Sequence, residues 1–231
     1  LANARGTTEA PTAELAVALL LAATRELPAF ARFQARAEWG NRETRSVLGS
    51  RVAVLGQGGV GARVAELLEG FGADVVRFAR TARCGSSGHD IESMDAIGRV
   101  APELDALVCC LPATPQTAGL VDAALLAELK AGAIVVNVGR GIVVDTAALT
   151  AEVLAGRLFA ALDVTEPEPL PRDHPLWAHP NVVLTPHVGG NTASALRELA
   201  ALVREQVRRL RAGEPIINSI ARGAATEGAD T

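Results

Sequence analysis

Cysteine is scarce in this 231-residue sequence: Cys84 stands alone in a polar stretch, and Cys109 and Cys110 are adjacent in an apolar run. That pattern excludes a disulfide framework and a metal-ligand set, so no metal site is expected, and it fits a reducing, cytoplasmic compartment. Lysine is scarcer still, with Lys130 the only one; codon bias accounts for the arginine excess before function does. Charge of one sign is lacking too. A net charge of −4 with scattered cations gives no electrostatic reason to expect nucleic acid. Long hydrophobic runs are missing, since the longest early one, Leu15 to Ala23, stops at Thr24 and Arg25, too short to span a bilayer, and no signal peptide is visible. Internal repeats are absent. What remains is a chain that is 49% hydrophobic, with 12 prolines and 22 glycines falling mostly between periodic segments. It reads as a globular protein of one large or two small domains with many short connections.

The stretch Arg51 to Arg80, RVAVLGQGGVGARVAELLEGFGADVVRFAR, organises the rest. Val52 to Leu55 is a short apolar run, and Gly56, Gly58 and Gly61 follow at GxGxxG spacing. Val60, Val64, Leu67, Leu68 and Phe71 then recur at helical intervals, Gly72 stands at the helix C-terminus, and Val75 to Phe78 is a second apolar run. Each glycine has its own task. Gly56 allows a tight turn, Gly58 lets the backbone approach a pyrophosphate, and Gly61 with Ala65 lets the helix pack close to the strand. The helix N-terminus then offers free N–H groups to phosphates, making Gly56, Gln57, Gly58, Gly59, Val60 and Gly61 the expected cofactor turn.

An acidic residue at the end of the second strand commonly accepts from the ribose hydroxyls of NAD. Here that place holds Ala79. Asp74 begins the strand and lies roughly 16 Å short of it at ~3.3 Å per residue. Arg80, Thr81 and Arg83 follow instead, donors suited to a 2′-phosphate. The expectation is NADP(H) in preference to NAD(H), with NAD(H) still possible; the alternative for Arg80 is to stack on adenine or face solvent.

Taken in order, Pro11 to Glu38 reads as helix, broken or bent near Pro28, apolar on nearly all sides over Leu15 to Leu21, so that it needs burial. Cys84 to Asp90 reads as a loop and Ser93 to Val100 as a short helix. Leu104 to Leu111, Ala133 to Val138, Leu158 to Leu162 and Asn181 to Thr185 read as strands, with helices at Val121 to Leu129 and Thr146 to Ala155. Continuous apolar strands alternating with helices predict an α/β fold, a Rossmann-type doubly wound parallel sheet with ligands at the C-terminal strand ends. An amphipathic helix runs from Thr192 to Gly213, and the tail from Arg222 is small and polar, expected to be disordered.

Three strand exits supply Arg140, the acidic cluster Asp163, Glu166 and Glu168, and His187. Hydride transfer to a carbonyl needs a proton donor, a cation for the substrate's negative charge and a carboxylate that favours the imidazolium. Each residue alone reads as a loop histidine, a surface ion pair or a solvated carboxylate. Together, beside a nucleotide turn, they favour catalysis.

The segments LPATPQTAGLVDAALLAELKAGAIVVNVGRGIVVDTAAL and LDVTEPEPLPRDHPLWAHPNVVLTPHVGGNT resemble the D-isomer-specific 2-hydroxyacid dehydrogenases, the group that includes glyoxylate/hydroxypyruvate reductases and phosphoglycerate dehydrogenase. The resemblance runs from about Ala10 to Ile220. It implies that Arg140 binds the substrate carboxylate and carbonyl, that His187 is the general acid/base oriented by Glu168, and that Asp163 hydrogen-bonds the nicotinamide carboxamide. It places Leu111, Pro112, Thr114, Pro115 and Thr117 on the adenine side of the cleft, Val138, Gly139, Arg140, His187 and Gly189 along the cofactor, and Trp177 near the substrate, a small 2-oxoacid or 2-hydroxyacid. Glu166 receives no role, His174 and His179 read as surface residues, and His89 has no partner. The resemblance also implies a dinucleotide-binding domain over 10–190, with a dimerisation helix near 11–38 making a homodimer. Residues 1–9 and 191–231 are then a remnant of a substrate domain, most of which relatives carry before Pro11. The chain is expected to be a fragment or a form that has lost that domain. A second expectation follows from that loss: a non-catalytic NADP(H)-binding interaction protein.

Overall fold

The computed structural model describes residues 1–85 and 88–220. The tail from Arg222, expected to be disordered, lies outside the described residues, as does part of the loop between Cys84 and Asp90. Eight strands form one sheet: β1 (Arg51–Leu55), β2 (Asp74–Ala79), β3 (Arg83–Cys84), β4 (Asp90–Ser93), β5 (Ala106–Cys109), β6 (Ile134–Asn137), β7 (Phe159–Leu162) and β8 (Val182–Leu184). Their spatial order is β3-β4-β2-β1-β5-β6-β7-β8. All neighbours are parallel except the edge pair β3 and β4. The order reverses between β1 and β5, and there the crossovers leave to opposite faces and open a crevice at the C-terminal strand ends.

Alternate residues of each strand serve different faces. Val52 and Val54 of β1 pack with α1 (Glu9–Thr24) and α3 (Gly59–Gly70), through Ala16, Leu20, Val64 and Leu68. Ala53 and Leu55 pack on the other face with α5 (Ala123–Glu128) and α6 (Thr146–Leu154), through Leu126, Leu149 and Val153. These side chains are buried, each worth about 1.5–3 kcal/mol of transfer free energy for a fully buried aliphatic. The sheet is therefore a rigid floor, which is what a site assembled from several strand exits requires.

The long first helix is broken near Pro28, one of the two forms expected, into α1 and α2 (Leu27–Ala35): Arg25 caps α1 and Glu26 is left-handed at φ 51°. Pro28 stands in the first turn of α2, where its missing N–H costs nothing. Two details differ from the sequence reading. The stretch read as a loop, Cys84 to Asp90, starts on the last residue of β3 and ends on the first of β4, and both strands are too short to show a period. Strand and helix ends retreat by one to three residues elsewhere, as at Leu104 and Leu111, which flank β5 rather than belong to it. α1 is covered within the chain itself, since Ala13, Val17, Leu19 and Ala23 are buried. Its apolar surface needs no second subunit; the uncovered residues near it are Leu27 and Trp39, the latter 97% exposed.

The last helix, α7 (Ala193–Ala212), is capped by Thr192, whose hydroxyl accepts from the Ala195 N–H at 3.1 Å, and ends at left-handed Gly213. Leu196, Leu199, Val203, Val207 and Leu210 form an exposed stripe along it. The first residues pair with the segment after α7, the Asn3 N–H donating to the Asn218 carbonyl at 3.1 Å and the Ile220 N–H to the Leu1 carbonyl at 2.8 Å. No described helix is long and apolar enough to cross a membrane.

Candidate active site

The glycine turn leaves β1 with Gly56 at φ 97°, a conformation open to glycine at no steric cost. A Cβ on Gly61 would lie 1.8 Å from the Gly56 carbonyl oxygen, so only glycine lets α3 start this close to the strand. Gly58 faces open space. No side chain caps α3, and the N–H groups of its first turn stay free for an anion. Gln57 folds back, its amide donating to the Val54 and Gly56 carbonyls at 3.3 and 3.1 Å. This cradle fits a dinucleotide diphosphate, because it combines open backbone at Gly58 with an uncapped helix start.

Two lobes of one crevice meet at this turn. The first, about 840 Å³, is bordered by Ala79, Arg80, Arg83, Pro112, Thr114 and Thr117. Arg80 and Arg83 are exposed and make no ion pair among the described residues. Thr81 is exposed but does not border the lobe. Thr117 shapes the wall: its hydroxyl donates to the Pro112 carbonyl at 2.6 Å and takes the Thr114 N–H at 2.9 Å. Met94, Asp95 and Ile97 also border this lobe, and the sequence reading missed them. They follow β4, the strand it did not recognise.

The second lobe, about 740 Å³, brings Gly58, Leu111, Val138, Gly139, Arg140, Asp163, His187 and Gly189 together. Leu111 and Pro112 are shared by both lobes. Thr8, Glu9 and Thr12 line it as well, and nothing in the sequence announced them: they arrive because the start of α1 packs on α3, with Glu9 against Gly59 and Thr12 against Gly189. Arg140 is exposed, donates only to the neighbouring Gly139 carbonyl at 2.8 Å, and has no carboxylate partner among the described residues. A free guanidinium at a strand exit is a ready bidentate site for a carboxylate.

His187 sits at φ 53°, a conformation that costs a residue with a side chain about 1–2 kcal/mol. Asp163 over-determines it. The His187 N–H donates to the Asp163 carbonyl at 2.8 Å, while the Asp163 carboxylate, buried at 3% exposure, accepts from the Val188 and Gly189 N–H groups at 2.9 Å each and from the Thr185 hydroxyl at 2.6 Å. The turn is thereby fixed. Glu168 Oε1 lies 2.7 Å from His187 Nδ1, and Nε2 has no protein partner among the described residues. Glu166 is exposed and takes no part in this hydrogen bonding, in keeping with a solvated charge.

Trp177 anchors its indole N–H on the Pro171 carbonyl at 2.8 Å and borders a small apolar recess behind His187 with Glu168, Leu170 and Leu184. His174 and His179 accept from nearby backbone N–H groups, and His89 stands 3.9 Å from Glu69; none of the three reaches the crevice. Cys110 borders both lobes, but burial pushes its thiol up to about 12, and that of Cys109 higher still, so neither is a nucleophile at neutral pH. No cluster able to hold a metal ion occurs among the described residues.

Comparison with known proteins places the chain in a family. The chain is 39% identical over 234 aligned positions to D-3-phosphoglycerate dehydrogenase of Mycobacterium bovis, covering 95% of this chain and 43% of that protein. It therefore spans less than half the length of that relative. The crystal structure of TT0316 protein from Thermus thermophilus superposes with a TM-score of 0.85 at 32% identity, covering 95% of this chain and 71% of that one. A D-isomer specific 2-hydroxyacid dehydrogenase from Xanthobacter autotrophicus Py2, solved with NADPH and MES, superposes at a TM-score of 0.79 and 37% identity, over 94% of this chain and 68% of that one. Residues 17–189 match the NAD binding domain of the D-isomer specific 2-hydroxyacid dehydrogenases, and the chain belongs to that family of oxidoreductases.

Proposed function

We propose that this chain carries the cofactor half and the proton-transfer group of an enzyme that moves a hydride between NADP(H) and a small 2-oxoacid or D-2-hydroxyacid. One observation carries the reading: His187, 2.7 Å from Glu168 at Nδ1, borders the same crevice as the glycine turn and Arg140, which has no carboxylate partner among the described residues. Bound there, the reduced nicotinamide supplies the hydride. Arg140 holds the substrate carboxylate, His187 gives its Nε2 proton to the carbonyl oxygen, and Glu168 orients the imidazole through Nδ1. The open lone pair of Asp163 Oδ2, which takes one internal donor, is available to a carboxamide N–H. Arg80 and Arg83 favour the 2′-phosphate of NADP, and the NADPH complex of the Xanthobacter relative supports this.

Domain organisation follows the same line. Residues 10–190 form the dinucleotide-binding unit, and 1–9 and 191–231 are the remnant of a substrate domain and the C-terminal tail, a grouping supported by the hydrogen bonds of Asn3 with Asn218 and of Ile220 with Leu1. A homodimer through the region of α2 and Trp39 covers the apolar residues exposed there. The test is loss of reduced-nicotinamide absorbance with glyoxylate, hydroxypyruvate and pyruvate. Consumption with at least one of them supports the reading, and none with any, despite NADPH binding, favours the second one. In that alternative the chain is a non-catalytic NADP(H)-binding interaction protein, and the exposed stripe of α7 is its partner surface.

A further inference from the structure

Arg140 is held in place by Asn137, and we infer that Asn137 is a positioning residue for the anion site, resting on the proposed role of Arg140. Asn137 ends β6 at 1% exposure, one of the few polar side chains buried in the described chain. A buried carboxamide is kept only where both of its ends are satisfied. Here they are spent on one turn: Oδ1 accepts the Gly139 N–H at 3.0 Å, and Nδ2 donates to the Arg140 carbonyl at 3.0 Å. Those partners fix which end is oxygen and which is nitrogen. The backbone on both sides of Arg140 is thereby tied to a side chain rooted in the sheet. Asn137 is itself tied to the histidine turn, since its carbonyl accepts the Asp163 N–H at 2.9 Å, and Asp163 holds His187. The guanidinium and the imidazole are thus referenced to adjacent strand ends by two buried polar residues that need not touch substrate.

The turn could not hold this shape otherwise. Gly139 comes so close to the β5 exit that a Cβ there would lie 2.4 Å from the Leu111 carbonyl oxygen, so the chain passes through a narrow gap before Arg140 emerges. Without the carboxamide, the buried Gly139 N–H loses its acceptor and the Arg140 carbonyl keeps only the Val143 N–H at 3.2 Å. Arg140 then samples several directions, and its anion affinity falls.

Oxalate, a planar dianion resembling a 2-oxoacid, serves as the probe against the full chain loaded with NADP⁺, read by calorimetry. Asn137→Ser weakens oxalate about tenfold, while NADP⁺ affinity changes by less than about twofold. In an Arg140→Ala background the same change adds less than about twofold, because Asn137 acts only through Arg140. Asn137→Asp, which keeps the acceptor and loses the donor, takes the place of Asn137→Ser if the serine variant fails to fold. An undiminished loss in the Arg140→Ala background, or no loss in a folded single variant while Arg140→Ala alone weakens oxalate, overturns the inference and leaves Arg140 as the anion site. Failure of the unmodified chain to bind oxalate, or indifference of that binding to Arg140→Ala, overturns both.

Discussion

Glu168 meets His187 at the Nδ1 edge of the ring, 2.7 Å away, and leaves the Nε2 edge free at the crevice that Arg140 shares. The pair therefore has a direction. If His187 delivers the proton, His187→Ala abolishes 2-oxoacid reduction and leaves NADPH affinity within about twofold, because the diphosphate grip lies elsewhere. Glu168→Gln keeps the shape of the pair but replaces the carboxylate that orients the ring through Nδ1, and the rate falls by about 10²-fold. Steady-state rates with titrated NADPH fluorescence separate the two effects. Retained turnover in His187→Ala refutes the assignment.

Cofactor choice rests on charge at the end of β2. Ala79 offers no carboxylate to the ribose diol, and Arg80 and Arg83 border the lobe with no anionic partner among the described residues. Arg80→Ala weakens NADPH about tenfold and NADH little, since only the former carries the 2′-phosphate. Ala79→Asp reverses the order by adding the diol acceptor and repelling the phosphate. Dissociation constants for both cofactors decide it, and equal values in the unmodified chain count against the preference.

Much of this was legible in advance, for physical reasons that vary by residue. Glycine spacing reports backbone constraint directly, so Gly56, Gly61 and Gly72 announced a turn, a close approach and a helix end, and the structure has all three. Residues at strand exits were legible because parallel sheets put every exit on one edge, which is how Arg140, Asp163 and His187 converge. The edge strands β3 and β4 were not, being too short to carry a period. Nor were Thr8, Glu9 and Thr12, which join the crevice through helix packing rather than sequence neighbourhood. Asn137 lay inside the stretch read as a strand, Ala133 to Val138. Its role was not, because a hydrogen bond from a side chain back to its own turn leaves no pattern in the sequence.

Arg77 shows the same limit. It sits inside the second apolar run yet is buried at 6% exposure, with Nη1 2.6 Å from Glu69 Oε1. That hydrogen bond, ahead of the opposing effect of burial, holds the Glu69 carboxyl below its ordinary 4.5. A depressed carboxylate stabilises the fold above its unfolded value and ceases to do so as pH falls through the folded one. Stability contributed here is thus complete above about pH 4.5 and lost on further acidification. Glu69→Gln leaves Arg77 buried without its counter-charge and costs about 1–2 kcal/mol at neutral pH, discounted for the exposed face of Glu69. Well below the depressed Glu69 value, where the parent's carboxyl is neutral as well, the variant and the parent converge to within about 0.5 kcal/mol. Urea unfolding at several pH values measures both, and a gap that persists in acid sinks the account.

Gly141 tests whether the site depends on contact between two turns. It follows Arg140, and a Cβ there would lie 1.9 Å from the Thr165 carbonyl oxygen and 2.2 Å from its carbon. Backbone cannot yield as a flexible side chain does, so Gly141→Ala must push the Arg140 turn and the 163–168 loop apart. Such overpacking costs about 1–3 kcal/mol. The displacement also separates Arg140 from Glu168, and a misplacement of about 1 Å in a catalytic group costs about 10²-fold in rate. Gly98→Ala is the control: it lies in α4 (Ile97–Val100), and nothing stands within 4 Å of its Cβ position. Thermal unfolding and turnover on the two variants should diverge, with Gly98→Ala near the parent in both. If Gly141→Ala matches that control, the two turns are not packed as described, and the geometry joining Arg140 to the His187–Glu168 pair is wrong.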